Sequence, residues 1–250
     1  MPATKKTVKA PTKKASKSPK KPVAAKSGKT LINFVLDKSG SMGSCVTDTI
    51  GGFNTYIQKL KEDKKSSYSF SLTLFDTSFE NRHVAVDLAK VPELTHNTYI
   101  PGGMTALYDA IGKTVTAVEG SSKEYDRVLT VIMTDGQENS SREYRLSMVK
   151  DLITRKEKEG WTFVFLGADI SAFAVGDSIG TQTANSVVYN TQNMGATFSN
   201  LACATMSYSS DSLTRGLTDK DLMKRVPMRK MAAAGMSRRT SPSPSGLRKR

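Results

Sequence analysis

Three short runs of almost uninterrupted apolar residues constrain the fold of this chain more than any other feature. They span residues 31–36, 128–133 and 161–166, a length typical of strands that are covered on both faces of a sheet. Across residues 50–60, apolar residues instead recur at every third or fourth position, which is the spacing of one helix face. Buried strands that alternate with amphipathic helices predict an α/β fold, with a mostly parallel sheet between two layers of helices.

Further strand patterns bring the expected sheet to six strands. Residues 68–74 alternate apolar side chains with Ser and Thr, which predicts a strand with one more polar face, and residues 83–88 and 186–189 fit an edge strand and a last strand. The common strand order in such a doubly wound, three-layer fold is 3-2-1-4-5-6, and ligands bind where strands 1 and 4 lie side by side. Asp37 ends the first strand and Asp135 ends the fourth, so both are expected at one crevice.

Oxygen-bearing side chains collect at the ends of these predicted strands. The first strand runs into an Asp-x-Ser-x-Ser segment, a Gly-Gly pair with a Thr two residues on precedes a helical pattern, and an Asp ends the fourth strand. Two carboxylates and three hydroxyls are hard donors, which suit Mg²⁺, Mn²⁺ or Ca²⁺ better than zinc or copper. The candidate metal ligands are Asp37, Ser39, Ser41, Thr105 and Asp135.

This set, in this order, resembles the metal ion-dependent adhesion site of von Willebrand factor type A (VWA) domains. The resemblance covers roughly residues 30–215 and includes every element of that motif. It implies a Rossmann-like VWA fold, with a six-stranded sheet of order 3-2-1-4-5-6 and one antiparallel edge strand. It identifies the chain as a module that binds a divalent cation and captures an acidic group of a protein partner.

The resemblance also implies a role for each ligand. Ser39, Ser41 and Thr105 would coordinate Mg²⁺, or alternatively Mn²⁺ or Ca²⁺, through their hydroxyls. Asp37 and Asp135 would act directly or through bound water. Neutral hydroxyls leave much of the cation's charge uncompensated, so an open coordination position would attract a carboxylate of the partner.

Other interpretations of these residues account for less of the pattern. Asp and Ser after a strand often cap the following helix, but capping does not explain Thr105 and Asp135 at matching places. A dinucleotide site would need a G-x-G-x-x-G pattern, which this segment lacks, and Asp37 would repel a pyrophosphate. No nucleophile–base pair stands out, so we expect a binding protein rather than an enzyme.

The net charge of +14 is distributed unevenly along the chain. Residues 1–29 contain ten Lys and no acidic residue, and residues 216–250 are also strongly basic, which leaves the part between them mildly acidic. Both ends lack the apolar residues needed to offset the entropy of ordering. We therefore predict a Lys-rich disordered segment over 1–29, a VWA domain over 30–215 and a mostly disordered basic segment over 216–250.

The basic segments leave a second function open. Their composition resembles that of chromatin and nucleoid protein tails, which predicts weak, salt-dependent binding of nucleic acid without sequence preference. In that alternative the VWA body would recruit a partner or serve as a scaffold. Solubilising linkers, or segments that bind an acidic protein or a membrane surface, fit the same composition.

The sequence also favours a location inside the cell. It shows no apolar signal-peptide core near the amino terminus, no run long enough to span a membrane, and two widely separated cysteines. We expect a non-secreted protein of the cytoplasm, or of the nucleoid or nucleus if the basic segments bind nucleic acid.

Because every strand and helix pattern that looks buried lies inside residues 30–215, we expect this part to fold without either basic segment. Limited proteolysis should trim the ends first and leave one resistant fragment, with a cooperative unfolding transition like that of the whole chain. A truncated protein that is insoluble or melts without cooperativity would contradict these boundaries.

Overall fold

The computed structural model describes residues 28–168, 170–181, 185–189 and 193–210. Within these ranges strands alternate with helices along the chain, as the apolar periodicity predicts. The strands are β1 (Lys29–Asp37), β2 (Ser67–Phe75), β3 (Phe79–Asp87), β4 (Arg127–Thr134), β5 (Trp161–Gly167) and β6 (Ser186–Val188). The helices are α1 (Val46–Glu62), α2 (Leu107–Glu119), α3 (Leu146–Lys158), α4 (Ile170–Ser178) and α5 (Met194–Ser210).

The six strands form one sheet in the order β3-β2-β1-β4-β5-β6, which confirms the predicted fold class. β1 lies at the centre and pairs in parallel with β2 on one side and β4 on the other. β2 and β3 form the antiparallel pair, at one edge of the sheet. The carboxyl ends of β1 and β4 are therefore neighbours, and the chain leaves them towards different parts of the sheet.

Two apolar layers cover the sheet. On one face, Phe34 of β1 packs against Phe53 of α1 and Phe198 of α5, with ring centroids 5.6 and 6.2 Å away. On the other face, α2 and α3 contribute side chains such as Ile111 and Ile153 to a second cluster. Because both faces of β1 are covered, its sequence is an apolar run rather than an alternation.

β2 is a strand with one more polar face, as its alternating sequence predicts, and this polar face is buried. Ser71 and Thr73 are buried along with the apolar residues of the strand. The hydroxyl of Thr114 in α2 donates to Thr73 Oγ1 at 2.8 Å, and Ser71 Oγ accepts from the backbone N–H of Ala85 at 2.9 Å. These hydrogen bonds satisfy polar atoms beneath a helix and beside an irregular edge strand, so small polar residues remain compatible with burial.

No helix in the described ranges is both long and apolar enough to cross a membrane. The predicted basic segments lie almost wholly outside these ranges, as do residues 211–215 of the expected domain. The boundaries 1–29, 30–215 and 216–250 therefore remain predictions.

Substitutions at two adjacent glycines of α1 would test how closely α1 and α5 pack. A β-carbon on Gly52 would lie 2.2 Å from the ring of Phe198, whereas one on Gly51 would meet no atom within 4 Å. We expect Gly52→Ala to lower the free energy of unfolding by about 1–3 kcal/mol through overpacking. Gly51→Ala, the matched control, should raise it by up to about 1 kcal/mol through helix propensity. Urea titrations of both variants would measure this, and equal effects would contradict the described packing.

Candidate functional site

The carboxylate of Asp37 lies at the end of β1 with no exposed surface. Its two oxygens accept hydrogen bonds from the backbone N–H of Ser39 at 2.6 Å and from the hydroxyl of Thr134 at 2.5 Å. The hydroxyl of Tyr99 donates to the carbonyl oxygen of Asp37 at 2.6 Å. Both the side chain and the main chain of this residue are therefore held in place.

The two serines of the Asp-x-Ser-x-Ser segment connect Asp37 to the end of β4. Their hydroxyl oxygens, Ser39 Oγ and Ser41 Oγ, lie 3.2 Å apart. Ser41 Oγ also donates to Asp135 Oδ1 at 2.7 Å. The chain then turns through a short 3₁₀ helix (Gly40–Cys45) into α1, which keeps both hydroxyls at the carboxyl edge of the sheet.

Thr105 completes the set at the same crevice. A β-carbon placed on Gly136 would lie 3.5 Å from Thr105 Oγ1 and 3.8 Å from Ser41 Oγ, so the two hydroxyls flank this glycine. Thr105 is almost completely buried, whereas Ser41 is exposed. The structure thus brings all five predicted residues to one place, although whether they bind a metal stays a prediction.

The loop that carries Thr105 is fastened to the loop after β1 by backbone hydrogen bonds. Gly102 N–H donates to the carbonyl of Lys38 at 2.8 Å, and Gly40 N–H donates to the carbonyl of Gly103 at 3.1 Å. Gly103 has φ of 67°, and a β-carbon there would lie 2.7 Å from Thr77 Oγ1. Only glycine meets both conditions without strain.

The sequence did not predict which residues hold the backbone of the loops around Thr105. Asn139 accepts from the backbone N–H of Thr105 at 2.7 Å, and its own N–H donates to the carbonyl of Thr105 at 3.0 Å. Glu138 accepts from the N–H of Tyr108 at 2.9 Å, in the first turn of α2. The carboxylate of Asp109 accepts from three successive N–H groups of residues 142–144. The usable signal was the presence of Asp, Glu and Asn within four residues of the predicted ligands.

The loop that carries Thr105 also exposes two large apolar side chains to solvent. Ile100 is 67% exposed and Met104 is 51% exposed, and Met104 directly precedes Thr105. The N–H of Met104 donates to Thr77 Oγ1 at 2.8 Å, so the backbone that presents it is fixed. We refer to Ile100 and Met104 as the apolar rim of the site.

No family model matches the chain, and no curated protein matches it. Solved structures do match. The chain superposes on the vWF domain of the type V pili tip protein Mfa5 from Porphyromonas gingivalis with a TM-score of 0.59 and 12% sequence identity, over 76% of this chain and 98% of that one. The fold is that of a von Willebrand factor type A domain.

Two other solved structures are similar to this chain at similarly low identity. The manganese-loaded TRAP protein of Plasmodium vivax gives a TM-score of 0.51 and 18% identity, over 68% of this chain and 72% of that one. The proximal thread matrix protein 1 of the mussel byssus gives 0.54 and 16%, over 74% and 47%. The chain therefore spans about half the length of the mussel protein, and identities this low establish the fold alone.

Within this VWA fold, burial raises the pKa of Asp37 to about 6, and the nearby Asp135 carboxylate adds to the increase. The hydrogen bonds from Thr134 and Ser39 act in the opposite direction because they stabilise the charged form. A positive ion at the crevice would favour the charged form further. The carboxylate is therefore costly to bury by itself and is suited to a cation.

The donor chemistry of the crevice fits a hard divalent cation. Among the residues that the structure describes, no three His, Cys, Asp or Glu side chains form a metal-binding group. The candidate set instead combines two carboxylates with three hydroxyls, and Ser41 Oγ lies 3.2 Å from Ser39 Oγ and 2.7 Å from Asp135 Oδ1. A donor set made only of oxygens matches the preferences of Mg²⁺ and Mn²⁺.

Because the pKa of Asp37 is raised, we expect the free energy of unfolding of the metal-free protein to fall as the pH rises, which is the reverse of the usual effect of a carboxylate. Between about pH 4 and 6 the folded state holds a proton that the unfolded state has released, so stability falls as the pH rises through this range. Asp37→Asn keeps the size of the side chain without the charge. In chelator above pH 6 we expect it to raise the free energy of unfolding by up to about 3 kcal/mol, with little effect near pH 4.

Urea unfolding at pH 4 and 7.5 would measure this difference, and Asp76→Asn supplies the control. Although burial would raise the pKa of Asp76, its ion pair with Lys38 and its hydrogen bonds from Ser78 hold the pKa below the usual value. Removing that carboxylate should therefore destabilise the protein at pH 7.5. A loss of stability in Asp37→Asn at pH 7.5 would contradict the assigned environment.

Proposed function

We propose that this protein is an interaction module that binds a divalent cation and captures a carboxylate of a protein partner. The expected cation is Mg²⁺. The observation that supports it is the convergence of five oxygen-bearing side chains on one crevice at the switch point of the sheet. In open α/β sheets this is where ligands bind.

In this proposal each residue has a distinct task. The hydroxyls of Ser39, Ser41 and Thr105 hold the ion, while Asp37 and Asp135 supply negative charge directly or through water. The set is then a complete metal ion-dependent adhesion site. The bound ion supplies an electrophilic position that an anionic oxygen of the partner can occupy. The neutral hydroxyls keep that position electrophilic because they offset little of its charge.

The apolar rim indicates which kind of side chain would lie next to the partner's carboxylate. Ile100 and Met104 lie beside the loop that presents Thr105, and both are more than half exposed. Burying such side chains contributes about 25 cal/mol for each Å² of apolar area removed from water. A partner whose acidic residue is followed or preceded by an apolar side chain fits this surface best.

We further propose that the protein acts by binding rather than by catalysis, and inside the cell. Both cysteines are free, with Cys45 buried and Cys203 exposed, and they lie far apart in the sequence. Unpaired cysteines are typical of reducing compartments. Proteins with this fold include one solved with manganese, the Plasmodium TRAP protein, which supports the choice of a hard divalent ion.

The proposal predicts that metal and carboxylate strengthen each other's binding. Mn²⁺ alone should bind weakly, as followed by its electron paramagnetic resonance signal, and acetate should raise its apparent affinity. By linkage, Mn²⁺ should raise acetate affinity by the same factor. Thr105→Ala should lower Mn²⁺ affinity by at least about tenfold. Thr105→Ser, which keeps the hydroxyl, is the matched control and should bind Mn²⁺ nearly as the original protein does.

Folding and partner capture complete this test. Circular dichroism should show both Thr105 variants folded, because the Asn139 contacts involve only backbone atoms of Thr105. Affinity capture from the native host should yield a partner that is lost with chelator, with Thr105→Ala or with Asp37→Ala. Capture that persists in excess chelator would show that the crevice is a structural remnant of the motif.

A further inference from the structure

The turn between β2 and β3 lies beside the candidate metal site without supplying any of its candidate ligands. It spans residues 76–78, between the end of β2 at Phe75 and the start of β3 at Phe79. β2 runs parallel to β1, and Phe75 lies opposite Asp37 in the register of the two strands. The turn therefore follows β2 at the same edge of the sheet at which the candidate site follows β1.

The main chain and the side chain of Lys38 both join this turn to the loop after β1. Lys38 lies between the candidate ligands Asp37 and Ser39. Its backbone N–H donates to the carbonyl of Phe75 at 2.7 Å. Its ammonium group forms an ion pair with the carboxylate of Asp76, and the two side chains are only 15% and 14% exposed. Because little water reaches this pair, it is screened less than an ion pair on the open surface.

The same turn holds the loop that carries Thr105, on both sides of that residue. Before Thr105, the N–H of Met104 donates to Thr77 Oγ1 at 2.8 Å. After it, the N–H of Ala106 donates to the carbonyl of Asp76 at 2.9 Å. Because both neighbours of Thr105 are bonded to the turn, the turn fixes the stretch of backbone that presents the Thr105 hydroxyl.

These contacts close a ring of three segments at the candidate site. The backbone N–H groups of Gly102 and Gly40 already join the Thr105 loop to the loop after β1. With the turn as the third member, each segment is bonded to the other two. The hydroxyls of Ser39 and Thr105 are thereby fixed relative to each other, because neither loop can shift without breaking its bonds to the turn.

Thr77 takes part in this ring through its side chain. A β-carbon on Gly103 would lie 2.7 Å from Thr77 Oγ1 and 3.6 Å from the β-carbon of Asp76, so the loop and the turn are in close contact. Thr77 itself is exposed. Exposed side chains away from special contacts contribute little to stability, so we assign the role of Thr77 to its hydrogen bond with the loop.

We propose that Thr77 is a positioning residue for the candidate metal site, and that the turn between β2 and β3 sets the place of the Thr105 hydroxyl. The inference rests on the proposed function, because it concerns how a ligand of the cation is held. Substituting groups that orient metal ligands typically lowers metal affinity by about 10- to 100-fold. Thr77 bonds to the backbone next to a ligand rather than to the ligand itself, so an effect at the lower end of this range is expected.

The hydrogen bond from Met104 also links the metal site to the apolar rim. Met104 is part of the rim and directly precedes Thr105, and its N–H is the group that Thr77 holds. A single hydroxyl of the turn therefore fixes the distance between the cation and the apolar surface beside it. A partner that uses both features depends on this distance.

Substitutions in the turn test the inference in the full-length protein. Thr77→Val keeps the size and the branched β-carbon without the hydroxyl, whereas Thr77→Ser keeps the hydroxyl. Ser78→Ala is the matched control in the same turn, since the Ser78 hydroxyl donates to the carboxylate of Asp76 at 2.7 Å rather than to the loop. Mn²⁺ affinity is measured from its electron paramagnetic resonance signal. Hydrogen exchange of the Met104 amide is measured by NMR in chelator, so this second measurement needs no bound metal.

Thr77→Val should bind Mn²⁺ about tenfold more weakly than the original protein, whereas Thr77→Ser and Ser78→Ala should bind it nearly as the original protein does. In chelator, the Met104 amide should exchange at least about tenfold faster in Thr77→Val than in Thr77→Ser. The urea midpoint of Thr77→Val should stay unchanged, because water can replace the hydroxyl at an exposed N–H. This combination separates positioning from general destabilisation.

Equal Mn²⁺ affinities of Thr77→Val and the original protein would overturn the inference and leave the proposed function in place. A loss of affinity that Thr77→Ser shares, or that comes with a lower urea midpoint, would also overturn it, because the hydroxyl would then not be the cause. An original protein that binds no Mn²⁺ would overturn the proposed function itself, and this inference with it.

Discussion

A buried carboxylate at the end of the central strand determines how the rest of the site is arranged. Asp37 has no exposed surface, and its oxygens accept from the Ser39 backbone and the Thr134 hydroxyl, while the Tyr99 hydroxyl donates to its carbonyl. Each contact fixes one neighbouring segment: the loop after β1, the end of β4 and the loop before α2. The remaining cost of burying a charge is expressed in the pKa of about 6 and is the property that suits the crevice to a cation.

The site is assembled in two layers with different chemistry. Asp37, Ser39, Ser41, Thr105 and Asp135 direct oxygen atoms into the crevice. Behind them, Asn139, Glu138 and Asp109 hold the loops through backbone N–H groups. Such an arrangement fixes the hydroxyls before any ligand arrives, which lowers the entropy that binding must overcome. The apolar rim beside it is exposed, although the Thr77 hydroxyl fixes the backbone at Met104.

Much of this could be predicted from the sequence because the decisive signals are local. The apolar runs of β1, β4 and β5 identify strands buried on both faces, and parallel strands necessarily bring Asp37 and Asp135 to the same edge. The support from Asn139 and Asp109 could not be predicted, because it depends on how two loops meet rather than on any periodic pattern. The burial of Ser71 and Thr73 could not be predicted for the same reason, since their partners come from α2 and an irregular edge strand.

The direction of β1 has a mechanical consequence. Lys29 begins this strand and the candidate metal site follows its other end, so a load applied between these two points would act along the strand axis. β1 is flanked over its length by β2 and β4, so such a load would shear two hydrogen-bonded ladders together instead of opening one bond at a time. Resistance to force is governed by the rate of unfolding, and we expect two ladders that must break together to give way more slowly than hydrogen bonds that open in turn.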